Sequence, residues 1–251
     1  MKIAISGKGG VGKTTLAGLL SYYLAGKGNR VIAVDADPDA NLASALGIDS
    51  SNIVPIAEME SLIEERTGAK PGSSGALFKI NPKVDDLPEK LWVEKDNIRL
   101  MVMGTVKKGG GGCICPESTL LKNLISHLVL FRNEVVILDM EAGIEHLGRA
   151  VASSVDILIV VVEPGKRSIE TAKHIKTLAN DIGITRLAVV GNKIRKKSDE
   201  DFISGSLKEL KILGYLPYDE ALIESDMKGF QAPSKYSTQI NDILQKIAAE
   251  S

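Results

Sequence analysis

The sequence predicts a single α/β domain with a mostly parallel central β-sheet of about seven or eight strands and helices on both faces. Three observations lead there. Short runs rich in Val, Ile and Leu alternate with longer amphipathic stretches, the rhythm of right-handed βαβ units. These apolar runs are nearly continuous, as suits strands covered on both faces. A glycine-rich segment, GKGGVGKT at residues 7–14, separates the first apolar run from the first helical pattern.

In chain order, KIAIS, RVIAVD, IRLMVMG, EVVILDM, DILIVVVE, RLAVVGN and KILGYL read as strands. Helical periodicity marks 13–26, 117–131, 166–182, 199–210 and 235–249. Between 50 and 97 the rhythm gives way to Pro, Gly, Ser and charge, in TGAKPGSSG and NPKVDDLPEK. That stretch reads as an insertion or mobile loop within one domain spanning 1–251, not a second domain. The last helix carries Ile240, Leu244 and Ile247 at helical spacing with little basic charge, so packing on the domain is expected over membrane docking.

Composition narrows the function. A hydrophobic content of 44% can fill a core without disulfides. Lys plus Arg number 31 against 32 Asp plus Glu, so no net field attracts nucleic acid or an anionic membrane. No apolar run approaches the roughly 20 residues of a membrane helix. MKIAISG shows no secretion signal, so a cytoplasmic protein with neither nucleic-acid partner nor stable membrane insertion is expected. In a reducing compartment its 2 cysteines suit metal or redox chemistry better than a bridge.

GKGGVGKT satisfies the phosphate-loop pattern G-x-x-x-x-G-K-[ST] and lies between a strand and a helix, as that pattern requires. Backbone N–H groups of Gly9, Gly10, Val11 and Gly12 can wrap phosphates, with Lys13, Thr14 and Thr15 opening the helix and adding its N-terminal partial charge. Lys13 is expected on the β- and γ-phosphates and the Thr14 hydroxyl on Mg²⁺. Asp35, Asp37 and Asp39 follow the second strand in DADPDAN, where open α/β sheets bind ligands. A carboxylate there can orient a water or hold Mg²⁺ through water, and Asp35 is the candidate for the second task. Asp39 also suits a helix cap. Asp139, after four apolar residues in EVVILDM, fits a strand end aiming one carboxylate at the metal's water shell.

Asn192 and Lys193 match the start of the guanine signature N-K-x-D, yet Arg195 replaces its carboxylate. Guanine N–H donors would lack an acceptor, so ATP is the expected nucleotide.

Lys8 within KGGVGKTT resembles the deviant phosphate loop of the family that includes the cell-division ATPase MinD and the nitrogenase iron protein. The resemblance implies that Lys8 reaches the partner's nucleotide across a homodimer. It also implies that Asp37 positions the attacking water, that Asn41 is a switch position, and that Glu141, Ala142 and Gly143 form a second switch. Asn192 on adenine, with Pro217 and Tyr218 lining the base pocket, carries over in the same way.

GGGGCICPE holds both cysteines, Cys113 and Cys115. In extended chain, residues i and i+2 face one way, so the two sulfurs can capture a metal together. Pro116 suits the first helical position, with Cys115 as N-cap. Two sulfurs leave a thiophilic divalent site half complete, and His127, His146 and His174 show no ligand-like spacing to the pair. A twofold axis would bring a second pair and make four. Deviant phosphate loop, DADPDAN, DMEAG and C-x-C together resemble, over essentially the whole chain, the accessory ATPases of nickel insertion into carbon monoxide dehydrogenase. That likeness implies an ATP-hydrolysing metallochaperone binding Ni²⁺ or Zn²⁺ at Cys113 and Cys115 of a homodimer, with carbon monoxide dehydrogenase as client. A MinD- or ParA-like positioning ATPase would need a basic tail or stripe. An iron-protein-like electron donor would need a cysteine after the second switch, where AGIEHLGRAVASS has none.

Overall fold

The computed structural model describes residues 1–73, 77–104, 115–142, 154–221 and 234–249. Its strands are β1 (Lys2–Gly7), β2 (Val31–Ala36), β3 (Val93–Lys95), β4 (Ile98–Val102), β5 (Val135–Met140), β6 (Ile157–Val162), β7 (Leu187–Ile194) and β8 (Lys211–Pro217). Its helices are α1 (Lys13–Gly26), α2 (Leu42–Ala45), α3 (Glu60–Thr67), α4 (Pro88–Leu91), α5 (Pro116–Phe131), α6 (Lys166–Ile182), α7 (Lys197–Ser206) and α8 (Ser237–Ala248).

Eight strands form one sheet in the order β3-β4-β2-β5-β1-β6-β7-β8. Every neighbouring pair is parallel except β3 with β4. The parallel sheet and two covered faces agree with the expected class. The seven expected strands all form. β3 is additional: Asp96 (φ 51°) and Asn97 (φ 62°) make a tight turn with both residues left-handed, folding Val93–Lys95 back onto β4. Helix α7 runs Lys197–Ser206 instead of the expected 199–210, because Asp199 accepts the Lys196 N–H at 3.1 Å and starts the helix earlier.

Strand periodicity divides the core in two. Ile3 and Ile5 of β1 join Val31, Ala33, Ile157 and Ile159 on the face covered by α1 and α8, where Leu16, Leu20, Ile240 and Ile243 are buried. Ala4 points the other way, with Ile32, Val34, Leu138 and Val160, toward α5 and α6 through Leu124, Leu128, Ala172 and Ile175. Helix α8 buries Ile240, Ile243 and Ile247, so its apolar face is used inside the domain.

The stretch 50–97 carries α3, α4 and β3 and contributes Ile56, Ile63, Val84 and Leu87 to the core beside α5. Arg66 grips Asp86 through two 2.9 Å bonds, joining α3 to the approach of α4. Among the described residues no helix is long and apolar enough to cross a membrane.

Candidate nucleotide site

β1 delivers the chain to the phosphate loop at the carboxyl edge of the sheet, between β5 and β6. A side chain at Gly7 would place a Cβ 2.5 Å from the Val161 carbonyl oxygen, so only glycine passes β6 here. Gly12 is left-handed (φ 97°), and a Cβ on it would stand 2.2 Å from Asn192 Nδ2. That amide is buried and donates to the Val11 carbonyl at 2.8 Å. Lys193 Nζ donates to the Gly10 carbonyl at 2.6 Å and pairs with Glu163 Oε2 at 3.1 Å. The ends of β6 and β7 therefore hold the loop in shape. Helix α1 starts at Lys13 with no side-chain cap, leaving its leading N–H groups for an anion.

Lys13 is buried, and its Nζ stands 3.2 Å from Asp37 Oδ2. Asp35, at the end of β2, accepts the Leu42 N–H at 2.8 Å and the Asp37 N–H at 3.3 Å. Thus Asp35, not Asp39, serves the first turn of α2; Asp39 instead offers its carbonyl to Asn41 Nδ2 at 2.7 Å. Asp139 is fully buried at the end of β5, and neither of its oxygens has a partner in hydrogen-bond geometry. Burial pushes its carboxyl up to about 7, against the opposing pull of the Thr14 hydroxyl and the Lys13 charge, with Asp35 and Asp37 adding repulsion. Burial raises Asp35 to about 6, partly offset by the backbone N–H groups it accepts.

A cleft of about 680 Å³ opens over these groups. Gly9, Gly10, Gly12, Lys13, Thr14, Thr15, Asp37, Asn41, Asn192, Pro217 and Tyr218 all line it, bringing together residues from four parts of the chain. Asp219 lines it too and was not anticipated; it accepts the Tyr236 hydroxyl and pairs with Lys235, tying the Pro217–Tyr218 end of the cleft to the start of α8. Those pairings hold its carboxyl below the usual range. Arg195, which replaces the guanine-reading acid, lies 3.7 Å over the Tyr218 ring. Glu163 is the second unanticipated residue. It faces Lys8 at 3.8 Å as well as Lys193. An acid after a buried strand carries no motif of its own, and only sheet order brings it to the loop.

Cys115 is the N-cap of α5 in extended backbone with Pro116 at the first helical position, as its sequence predicts. It is buried, and Sγ donates to Ser118 Oγ at 3.2 Å. Helix α5 packs along the sheet and ends three residues before β5, so its start lies toward the carboxyl edge where the phosphate loop sits. Cys113 lies outside the described residues, as do Gly143 and His146. Among the described residues no three His, Cys, Asp or Glu side chains form a metal-holding cluster.

A mostly parallel sheet with a phosphate loop after its central strand β1, and buried acids near the ends of β5 and β2 on one side of it, defines a P-loop ATPase. The chain belongs to the CobQ/CobB/MinD/ParA nucleotide binding family, whose domain matches residues 2–231. It is 50% identical to an uncharacterized ATP-binding protein of Methanocaldococcus jannaschii, over 98% of this chain and 97% of that one. It is 47% identical to the carbon monoxide dehydrogenase accessory protein CooC of Rhodospirillum rubrum, over 91% of this chain and 88% of the relative. Among solved structures, the MinC:MinD cell division complex of Aquifex aeolicus matches with a TM-score of 0.71 at 21% identity, covering 100% of this chain and 97% of that one. The Pyrococcus furiosus cell division ATPase MinD matches at 0.67 and 22%, covering all of both chains. At such identities these structures speak for the fold alone.

Proposed function

We propose that this ATPase is a cytoplasmic metallochaperone that pairs as a homodimer around ATP, captures Ni²⁺ or Zn²⁺ with Cys113 and Cys115 of both copies, and assists nickel insertion into carbon monoxide dehydrogenase. The single observation carrying this reading is the 47% identity to CooC over 91% of the chain. The cleft supports its ATP half. Loop amides from Gly9 to Thr15 and the uncapped start of α1 bind the phosphates. Lys13 exchanges its contact with Asp37 for the β- and γ-phosphates, which frees Asp37 to orient the attacking water. Lys8 adds its charge from the second copy. Asn192, Pro217 and Tyr218 form the base end.

The residues fit Mg²⁺. Asp139 keeps two buried oxygens without partners beside Thr14, and a buried carboxylate in that condition suits the hydration shell of a cation. Thr14, Asp35 and Asp139 would hold it. Bound there, the ion neutralises charge on the phosphate oxygens. Closure around ATP and assembly of a four-sulfur site would use one interface, so each favours the other by linkage. A MinD-like positioning role gains nothing from α8, whose apolar face is buried on the sheet.

Sedimentation with and without Ni²⁺, Zn²⁺ and a non-hydrolysable ATP analogue tests the reading, on wild type and on a Cys113→Ala/Cys115→Ala variant. Metal-induced pairing should disappear in the variant while ATP affinity per chain survives. Unchanged metal stoichiometry in the variant would defeat the thiolate site.

A further inference from the structure

We infer that Glu163 is a positioning residue that latches Lys8 to its own protomer, and that the latch must open before Lys8 can reach a second copy's nucleotide. The inference rests on the reading of Lys8 as a residue acting across a homodimer. Glu163 directly follows β6, and its N–H donates to Ser168 Oγ at 3.1 Å, which fixes the backbone from which its side chain reaches the loop. Its oxygens divide between two lysines: Oε1 stands 3.8 Å from Lys8 Nζ and Oε2 3.1 Å from Lys193 Nζ. Lys193 also donates to the Gly10 carbonyl, and it holds a left-handed backbone (φ 59°) while doing so. One carboxylate thus ties the glycine run to β6 and β7 at Lys8 directly and at Gly10 through Lys193.

The three charges make the latch releasable. Two ammonium groups share one carboxylate, so Lys193 still neutralises Glu163 after Lys8 departs. No unpaired acid is left behind. Lys8 is also the longer contact and its side chain is 39% exposed, which keeps the hold weak. A dimer opens two such latches, so the effect on pairing enters twice.

The test is the pairing constant, read by sedimentation velocity of the full chain with Mg²⁺ and a non-hydrolysable ATP analogue. Glu163→Gln preserves size and an acceptor for Lys193 while removing the charge on Lys8. It should pair between about twofold and thirtyfold more tightly than wild type, taking the usual range for an exposed ion pair and counting it twice. The gain should shrink at high salt. Glu163→Ala, which also removes the acceptor, serves as a second variant with the same expected direction. A merely structural Glu163 would weaken pairing instead; unchanged or weaker pairing in both variants overturns the latch. Lys8→Ala separates the two levels. If it pairs as wild type does, the cross-dimer reading of Lys8 fails and the latch falls with it. If Lys8→Ala abolishes pairing while both Glu163 variants match wild type, the latch alone is wrong.

Discussion

Asp35 and Asp139 are register partners on β2 and β5, adjacent parallel strands, and both are buried. Two carboxyls so placed resist ionising together, and burial holds them at about 6 and about 7. Folded values above the ordinary carboxylate range mean that their contribution to stability is full below about pH 4 and is lost as pH rises through 6 to 7. Asp139→Asn should therefore melt higher than wild type at pH 8 without nucleotide, by a difference on the order of 2–4 kcal/mol that vanishes near pH 4. The reverse is expected for the proposed Mg²⁺ site, which needs the charged form. Calorimetric titration should show Mg²⁺-dependent nucleotide binding weakening as pH falls from 8 to 6, and a smaller dependence in Asp139→Asn, where only Asp35 still titrates in that range.

Lys13 and Asp37 stand 3.2 Å apart in the cleft. Asp37→Asn keeps the shape and a hydrogen-bonding group but gives up the carboxylate proposed to orient water. Nucleotide affinity should be retained while single-turnover hydrolysis slows by about 10²- to 10⁴-fold. Normal turnover would remove the role assigned to Asp37.

Gly12→Ala collides with Asn192 Nδ2 and demands a left-handed alanine. The Asn192 bond to Val11 is then broken and the loop displaced. A loss of about 2–4 kcal/mol in stability is expected, from backbone strain and the lost hydrogen bond together. Equilibrium dialysis should find ATP binding abolished; near-native affinity would show that the loop does not depend on this contact.

Ile63 of α3 is fully buried beside α5, the helix that Cys115 caps. Ile63→Ala should cost about 2–5 kcal/mol in a urea melt, as expected for a core cavity. A change under about 0.5 kcal/mol, the range of surface positions, would mean that 50–97 rides on the domain without supporting it.

Much of this protein follows from local pattern. Apolar runs of strand length, the glycines of residues 7–14, the acids of DADPDAN and ILDM and Pro116 behind Cys115 each announce their element within a few residues of chain, because dihedral preference and hydrophobic periodicity are short-range. The three-residue β3 escaped that reading because Val93–Lys95 is short and charged, and only its Asp96-Asn97 turn signalled a hairpin. Other features could be settled only by the folded chain. Whether Asn192 meets Val11, whether Glu163 meets Lys8, and how far Asp139 is lifted toward neutrality all depend on the strand order β2-β5-β1-β6-β7. That order is set by how crossovers pack in three dimensions. Side chains more than a hundred residues apart become neighbours there, and burial, which sets the cost of their charges, exists only once the sheet has closed over them.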